Sequence, residues 1–257
     1  MRNVMRPEDS CNFLIRYQIQ MEDNKLMTKS NIAYANESNK YRAARNKLLE
    51  AEIELRRHLE SVAALRRQLP LGGKLKEDYV FEEMQNGQKI VQTKFSQLFD
   101  PKKNTLITYS FMFPDRNGKP CPACTSILDG LNGSALHIRD KVNYVVIAKA
   151  PIQKIMQWAQ KRDWKNLRLL SSSKNNFNKD YFSEGADGSQ HPLLNVFAKK
   201  AKSIFHFYGT ESYFAPADKG QDPRHVDLIW PIWQMFDYTP EGRGHWGPQY
   251  SYPKTKK

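Results

Sequence analysis

Two cysteines three residues apart, in Cys121-Pro-Ala-Cys124, are the residues whose type and spacing speak most directly of chemistry. The apolar run Leu106–Phe113 precedes them and a helical stretch opens at Thr125, so the pair lies where a strand passes through a short turn into a helix. A Cys-x-x-Cys in that setting is a candidate thiol–disulfide redox site. The free N–H groups of a first helical turn and the positive end of its dipole favour a thiolate. Lys119 adds a positive charge two residues upstream, and Pro122 suits a first turn, where a missing N–H costs nothing. Cys121 is then the attacking thiol. Cys124, one helical turn on, resolves a mixed disulfide formed on it. The same spacing also admits half of a zinc site or two structural thiols. A zinc site needs two more ligands, and neither a second Cys-x-x-Cys nor a His-x-His pair is present. No cofactor is implied beyond a reversible Cys121–Cys124 disulfide.

The elements that must position the pair follow from hydrophobic pattern. Residues 38–69 form a long amphipathic helix, with Tyr41, Ala44, Leu48, Leu55, Leu59, Val62 and Leu69 on one stripe. Ser38 is its expected N-cap, and Pro70 with Gly72-Gly73 ends it. Its length, roughly 50 Å at ~1.5 Å per residue, suits wrapping the domain or pairing with a second subunit as a homodimer. Strands are expected over 79–83, 105–113, 144–148 and 167–170, with a turn at Asn86-Gly87 and another at Asp115–Gly118. After the cysteines a helix is expected to about Leu131, weakened by Gly130 and Gly133, with a second piece over 134–139. Pro151 opens another helix. Residues 171–188 read as a loop, 193–197 and 204–208 as a β-hairpin, and 223–238 as a final helix interrupted at Pro231. Trp230, Trp233, Phe236 and Tyr238 fall at helix-compatible spacings that suit core packing.

Alternating strands and helices followed by a hairpin make an α/β chain. The expected architecture is a thioredoxin-like fold, a central mixed sheet flanked by helices, with a long N-terminal helical extension. The divisions are an accessory arm over 1–35, the helix over 36–70, the domain over 71–252 and a basic tail over 253–257. His191-Pro192 stands directly before the hairpin. In thioredoxin-like proteins a cis-proline there packs beside the cysteines, which makes Pro192 a candidate cis-Pro and places His191 near the sulfurs as a proton shuttle or thiolate tuner. A strand-edge proline and an ordinary, partly exposed histidine are the plain alternatives.

Net charge is +13. It is spread over the chain, +4 in residues 1–70 and +9 in 71–257, without a groove-reading or base-stacking motif, so no specific nucleic-acid partner is expected. No apolar run reaches the length of a membrane span, and the first 30 residues lack a signal-peptide core. With three cysteines and no disulfide framework, a cytoplasmic location is the expectation. Cys11 reads as a bystander thiol. His137, His206, His225 and His245 show no ligand spacing.

Ten stretches of this sequence together resemble a bacterial thioredoxin-like family catalogued as domain of unknown function 899. They are Tyr41-Arg-Ala-Ala-Arg-Asn-Lys-Leu-Leu49, Asp78-Tyr-Val-Phe81, Tyr109-Ser-Phe-Met-Phe113, Cys121-Pro-Ala-Cys-Thr-Ser126, Ala148-Lys-Ala-Pro151, Leu167-Arg-Leu-Leu-Ser-Ser172, Pro192-Leu-Leu-Asn-Val-Phe197, Ala215-Pro-Ala-Asp218, Asp222-Pro-Arg-His225 and Thr239-Pro-Glu-Gly-Arg-Gly244. The resemblance spans roughly residues 36–252. It implies the fold and the long helix, points to Cys121, Cys124 and Pro192, and leaves the substrate open.

The leading expectation is therefore a thiol–disulfide oxidoreductase acting on a disulfide-containing protein or a small thiol substrate and re-reduced by a partner reductase. A peroxiredoxin-like peroxidase, in which a Cys121 sulfenic acid condenses with Cys124, is the second; the chain lacks a Thr-x-x-Cys peroxidatic signature. A non-enzymatic module holding a soft metal through the cysteines, with His191, is the third.

Overall fold

The computed structural model describes residues 32–114, 119–221 and 224–253. Cys11, most of the N-terminal arm, the expected turn at 115–118 and the lysines of the tail lie outside the described residues. The chain divides into two compact units between Gln68 and Leu69.

The first unit is helix α1, Asn39–Arg67. Ser38 has extended backbone angles, and its hydroxyl accepts the Tyr41 N–H at 3.1 Å. That bond satisfies one of the donors a helix start leaves open. Arg66 and Arg67 in the last turn complement the negative end of the dipole. No residue of α1 is buried, and Leu48, Leu55 and Leu59 are exposed.

The second unit is built on strands β1 (Val80–Gln85), β2 (Lys89–Lys94), β3 (Thr105–Phe111), β4 (Asn143–Ala148), β5 (Leu169–Ser171), β6 (Leu194–Lys200) and β7 (Ser203–Gly209). They form one sheet in the order β2-β1-β5-β4-β3-β6-β7. β3, β4 and β5 run parallel, and β1, β2, β6 and β7 complete the sheet with antiparallel pairs. Helix α2 (Pro122–Lys141) connects β3 to β4, and α3 (Ile152–Lys161) connects β4 to β5. The subset β4-β3-β6-β7, with α2 as the crossover and a hairpin at the far edge, is the thioredoxin-like core.

Each sheet face carries its own apolar layer. One contains Tyr109, Phe111, Cys124, Ile127, Leu128, Tyr144, Val146, Ile155 and Trp230. The other contains Tyr79, Phe81, Phe95, Leu106, Ile147, Phe177 and Phe197. Covered on both sides, β4 is buried along its whole length, which is why its sequence is continuously apolar rather than alternating. At the β1–β2 turn Asn86 and Gly87 have φ of 52° and 70°, and the Gln88 N–H closes on the Gln85 carbonyl. Asn-Gly takes that left-handed pair readily.

Three expectations change. First, α2 is one helix through Gly130 and Gly133, not two pieces. Buried Ile127 and Leu128 before the glycines and Ala135 after them hold it to the sheet, and this outweighs a propensity penalty of about 1 kcal/mol per glycine. Second, the loop after β5 contains a short helix, α4 (Phe177–Asp180), because Phe177 is fully buried among Tyr79, Phe81, Phe95 and Phe197. Third, the final helix is a 3-10 turn over Asp227–Ile229 followed by α5 (Ile232–Asp237), broken at Trp230-Pro231. Trp230 of the expected core set is buried, whereas Tyr238 is 79% exposed. No described helix is long and apolar enough to cross a membrane.

Candidate active site

Strand β3 delivers the chain to the cysteines, and the Cys121 N–H bonds back to the Met112 carbonyl at 2.9 Å. Cys121 is itself the N-cap of α2, with extended angles (φ −63°, ψ 130°), and Pro122 takes the first helical position. Its carbonyl accepts both the Thr125 N–H at 3.0 Å and the Thr125 hydroxyl at 2.9 Å, which fixes the first turn. Lys119 is exposed just ahead of the buried Pro120.

One helical turn separates two different thiols. Both cysteines are unpaired; Cys121 is partly exposed and Cys124 is buried. The Cys121 thiol is lowered to about 6, first by a hydrogen bond from the Cys124 thiol and then by the backbone N–H groups of Cys124 and Ala123. Cys124 is pushed the other way, chiefly by burial and further by donating its proton toward Cys121. A helix start that aims N–H groups at one sulfur and buries the other produces this split.

Behind the pair stands Tyr109, fully buried on β3. Its hydroxyl interacts with Cys124 but makes no well-formed hydrogen bond among the described residues. Tyr250 comes close as well: its hydroxyl donates to the Pro120 carbonyl next to Cys121. Its ring meets Trp158 edge to face at 5.2 Å, and its carbonyl accepts from Arg162 at 2.6 Å. Arg162 is held in turn by Asp129 of α2, which also accepts the Trp164 indole N–H at 2.8 Å. Burial and the nearby Cys121 charge both raise the Tyr250 phenol.

The segment carrying Tyr250 is tied to the domain at several points. The Trp230 indole donates to the Ser126 hydroxyl at 3.1 Å, two residues beyond Cys124. Arg243 bonds to Asp227 at 2.5 Å and Asp237 at 2.8 Å, with its guanidinium 5.4 Å from the centre of the Trp233 ring. The Thr239–Gly244 motif therefore has a structural use: it supplies Arg243, which together with Arg224 closes the C-terminal segment on itself.

The expected cis-proline is corrected. Among the described residues every peptide bond is trans, Pro192 included. The chain runs straight from Pro192 into the sheet, since the Leu193 carbonyl already accepts the Ser110 N–H at 2.8 Å. With no reversal to make, the commoner isomer serves. Continuing the β3–β6 register from Tyr109↔Leu194 sets Pro192 opposite Phe111, one strand away from the end that leads to the cysteines. The His191 ring contacts Tyr213 and Phe214 at centroid distances of 5.4 and 5.6 Å, with Ser189 also in reach. Its described contacts do not include either sulfur. A cavity of about 970 Å³ lined by Leu193, Asn195, His206 and Phe214 lies on the opposite sheet face from the cysteines.

Tyr109 and Tyr250 were not singled out in the sequence as site residues. Tyr109 had a usable signal: strand alternation places it on the face of Phe111, the face that α2 covers. Tyr250 had none, because only tertiary contacts bring it to Pro120.

Residues 29–256 match the family described as "Bacterial protein of unknown function (DUF899)". The chain belongs to that family. No curated protein matches it significantly in sequence. Solved structures similar to this family member include AhpC from Enterococcus faecalis (11% identity, 64% of this chain and 92% of that one, TM-score 0.43). Peroxidoxin BcpB from Mycobacterium tuberculosis is another (15% identity, 64% and 96%, TM-score 0.41). Peroxiredoxin Q from Xanthomonas campestris is a third (11% identity, 64% and 94%, TM-score 0.42). The fold assignment rests on the sheet order, and the chemistry below on the geometry of the cysteine pair.

Proposed function

We propose that this protein is a thiol–disulfide oxidoreductase in which Cys121 attacks and Cys124 resolves. The observation that carries the reading is the opposed setting of the two thiols: one partly exposed and lowered to about 6, the other buried and raised. The Cys121 thiolate attacks a substrate disulfide, forming a mixed disulfide and releasing one substrate thiolate. Cys124 then gives up its proton and attacks the Cys121 sulfur, forming the Cys121–Cys124 disulfide and expelling the second substrate thiolate. The substrate gains two electrons and the protein loses two. An external dithiol or a reductase restores the pair.

Reduction of insulin disulfides tests this. Wild-type protein turns over with a dithiol donor, Cys121→Ser abolishes turnover, and Cys124→Ser accumulates a mixed disulfide on Cys121. Equal activity in wild type and Cys121→Ser overturns the proposal. Thiol-dependent peroxide consumption that outpaces disulfide reduction reassigns the pair to a peroxidase.

A further inference from the structure

Resting on the redox reading above, a further role follows from the buried hydroxyl behind the cysteine pair. Tyr109 is fully buried, and its hydroxyl has no well-formed hydrogen bond among the described residues. An unsatisfied buried hydroxyl is costly, so a phenylalanine of the same shape should suit this position better. Tyr144 in the same apolar layer also has an unpartnered hydroxyl, but it is the hydroxyl of Tyr109 that interacts with Cys124.

Cys124 explains what the hydroxyl is for. In the reduced state the Cys124 thiol is paired with Cys121, the interaction that lowers Cys121 and raises Cys124. Once Cys121 is bonded to substrate, that pairing is lost, and Cys124 must ionise inside an apolar layer. The groups that favour charge on its sulfur are the Tyr109 hydroxyl and the Met112 backbone. A buried thiolate without donors is expensive. A phenol O–H is a neutral donor, so it can stabilise the new charge without bringing a second charge into the core.

We infer that Tyr109 is a catalytic residue of the resolving step, its hydroxyl donating a hydrogen bond to the Cys124 thiolate as that sulfur attacks the Cys121 mixed disulfide. The proton leaving Cys124 goes to the expelled thiolate or to solvent, and Tyr109 keeps its own. No oxidant enters beyond the substrate disulfide.

The test uses reduced full-length protein and the aryl disulfide dithiobis(nitrobenzoate), followed by stopped-flow absorbance. The first nitrothiophenolate released reports attack by Cys121, and the second reports resolution by Cys124. In Tyr109→Phe the first phase keeps its rate, and the second slows about 10- to 100-fold, the range for losing a hydrogen bond to a charged group. Tyr144→Phe, which removes the neighbouring unpartnered hydroxyl, changes neither phase. The melting temperature of Tyr109→Phe equals or exceeds that of wild type. An unchanged second phase, an equal slowing of both phases, or a drop in melting temperature each overturns the role of Tyr109 and leaves the redox reading standing. If wild-type protein never releases the second nitrothiophenolate, the redox reading fails and this role falls with it.

Discussion

Alkylation of Cys121 at mildly acidic pH puts the site's electrostatics to its most direct test. With the thiol lowered from 9.0 to about 6, roughly a quarter of Cys121 is thiolate at pH 5.5, against about 0.03% for an unshifted thiol. A less basic sulfur is also a poorer nucleophile. At a Brønsted slope of ~0.45, a shift of this size costs about 20-fold in intrinsic reactivity. The net gain is then only about 4-fold at pH 7 but about 40-fold at pH 5.5. Neutral-pH rates therefore discriminate poorly, and the profile below pH 7 decides. Reduced protein is treated with iodoacetamide from pH 4.5 to 9, and modification of Cys121 is followed by mass spectrometry. The rate constant rises to half its plateau near pH 6, while buried Cys124 stays unmodified. In Cys124→Ala the midpoint moves upward, because the largest lowering contribution is the Cys124 thiol. It stays below the usual thiol range, because the backbone N–H groups at 123 and 124 remain. A wild-type midpoint at 8.5–9, or no shift in Cys124→Ala, refutes the assignment of the thiolate to these donors.

Two stability predictions follow from the scaffold. Gly130 and Gly133 are exposed in α2, and a Cβ at either meets nothing within 4 Å, so Gly130→Ala and Gly133→Ala each stabilise by about 0.5–1 kcal/mol in urea unfolding. Arg243→Ala removes one of the two arginines, with Arg224, that bridge Asp227 and Asp237, and costs about 1 kcal/mol. By loosening the segment that carries Tyr250, it also speeds alkylation of Cys121; an unchanged alkylation rate shows that the two ends of the segment are uncoupled.

Local signals carried a great deal. Alternating and continuous apolar runs located β3, β4 and the β6–β7 hairpin, the Ser38 cap and a 3.6-residue stripe located α1, and the Cys-x-x-Cys was read at the strand-to-helix junction where the structure has it. Such signals act over a few residues, and a short stretch of chain displays them whole. The helix expected to end near Leu131, with a second piece over 134–139, shows their limit. Intrinsic propensity favoured two pieces, and burial of Ile127, Leu128 and Ala135 against the sheet decided for one. His191 and Pro192 show it again, since proximity in sequence to an expected motif did not set the isomer or the contacts of the ring. What distinguishes the thiols is also tertiary. Their spacing was plain in the sequence, but the depth of Cys124, the phenol of Tyr109 behind it and the Tyr250 hydroxyl on Pro120 depend on sheet register and on a C-terminal segment that folds back from more than a hundred residues away. A thiol's acidity is set by the dielectric and the donors around its sulfur, and those are properties of the packed fold rather than of the four-residue motif.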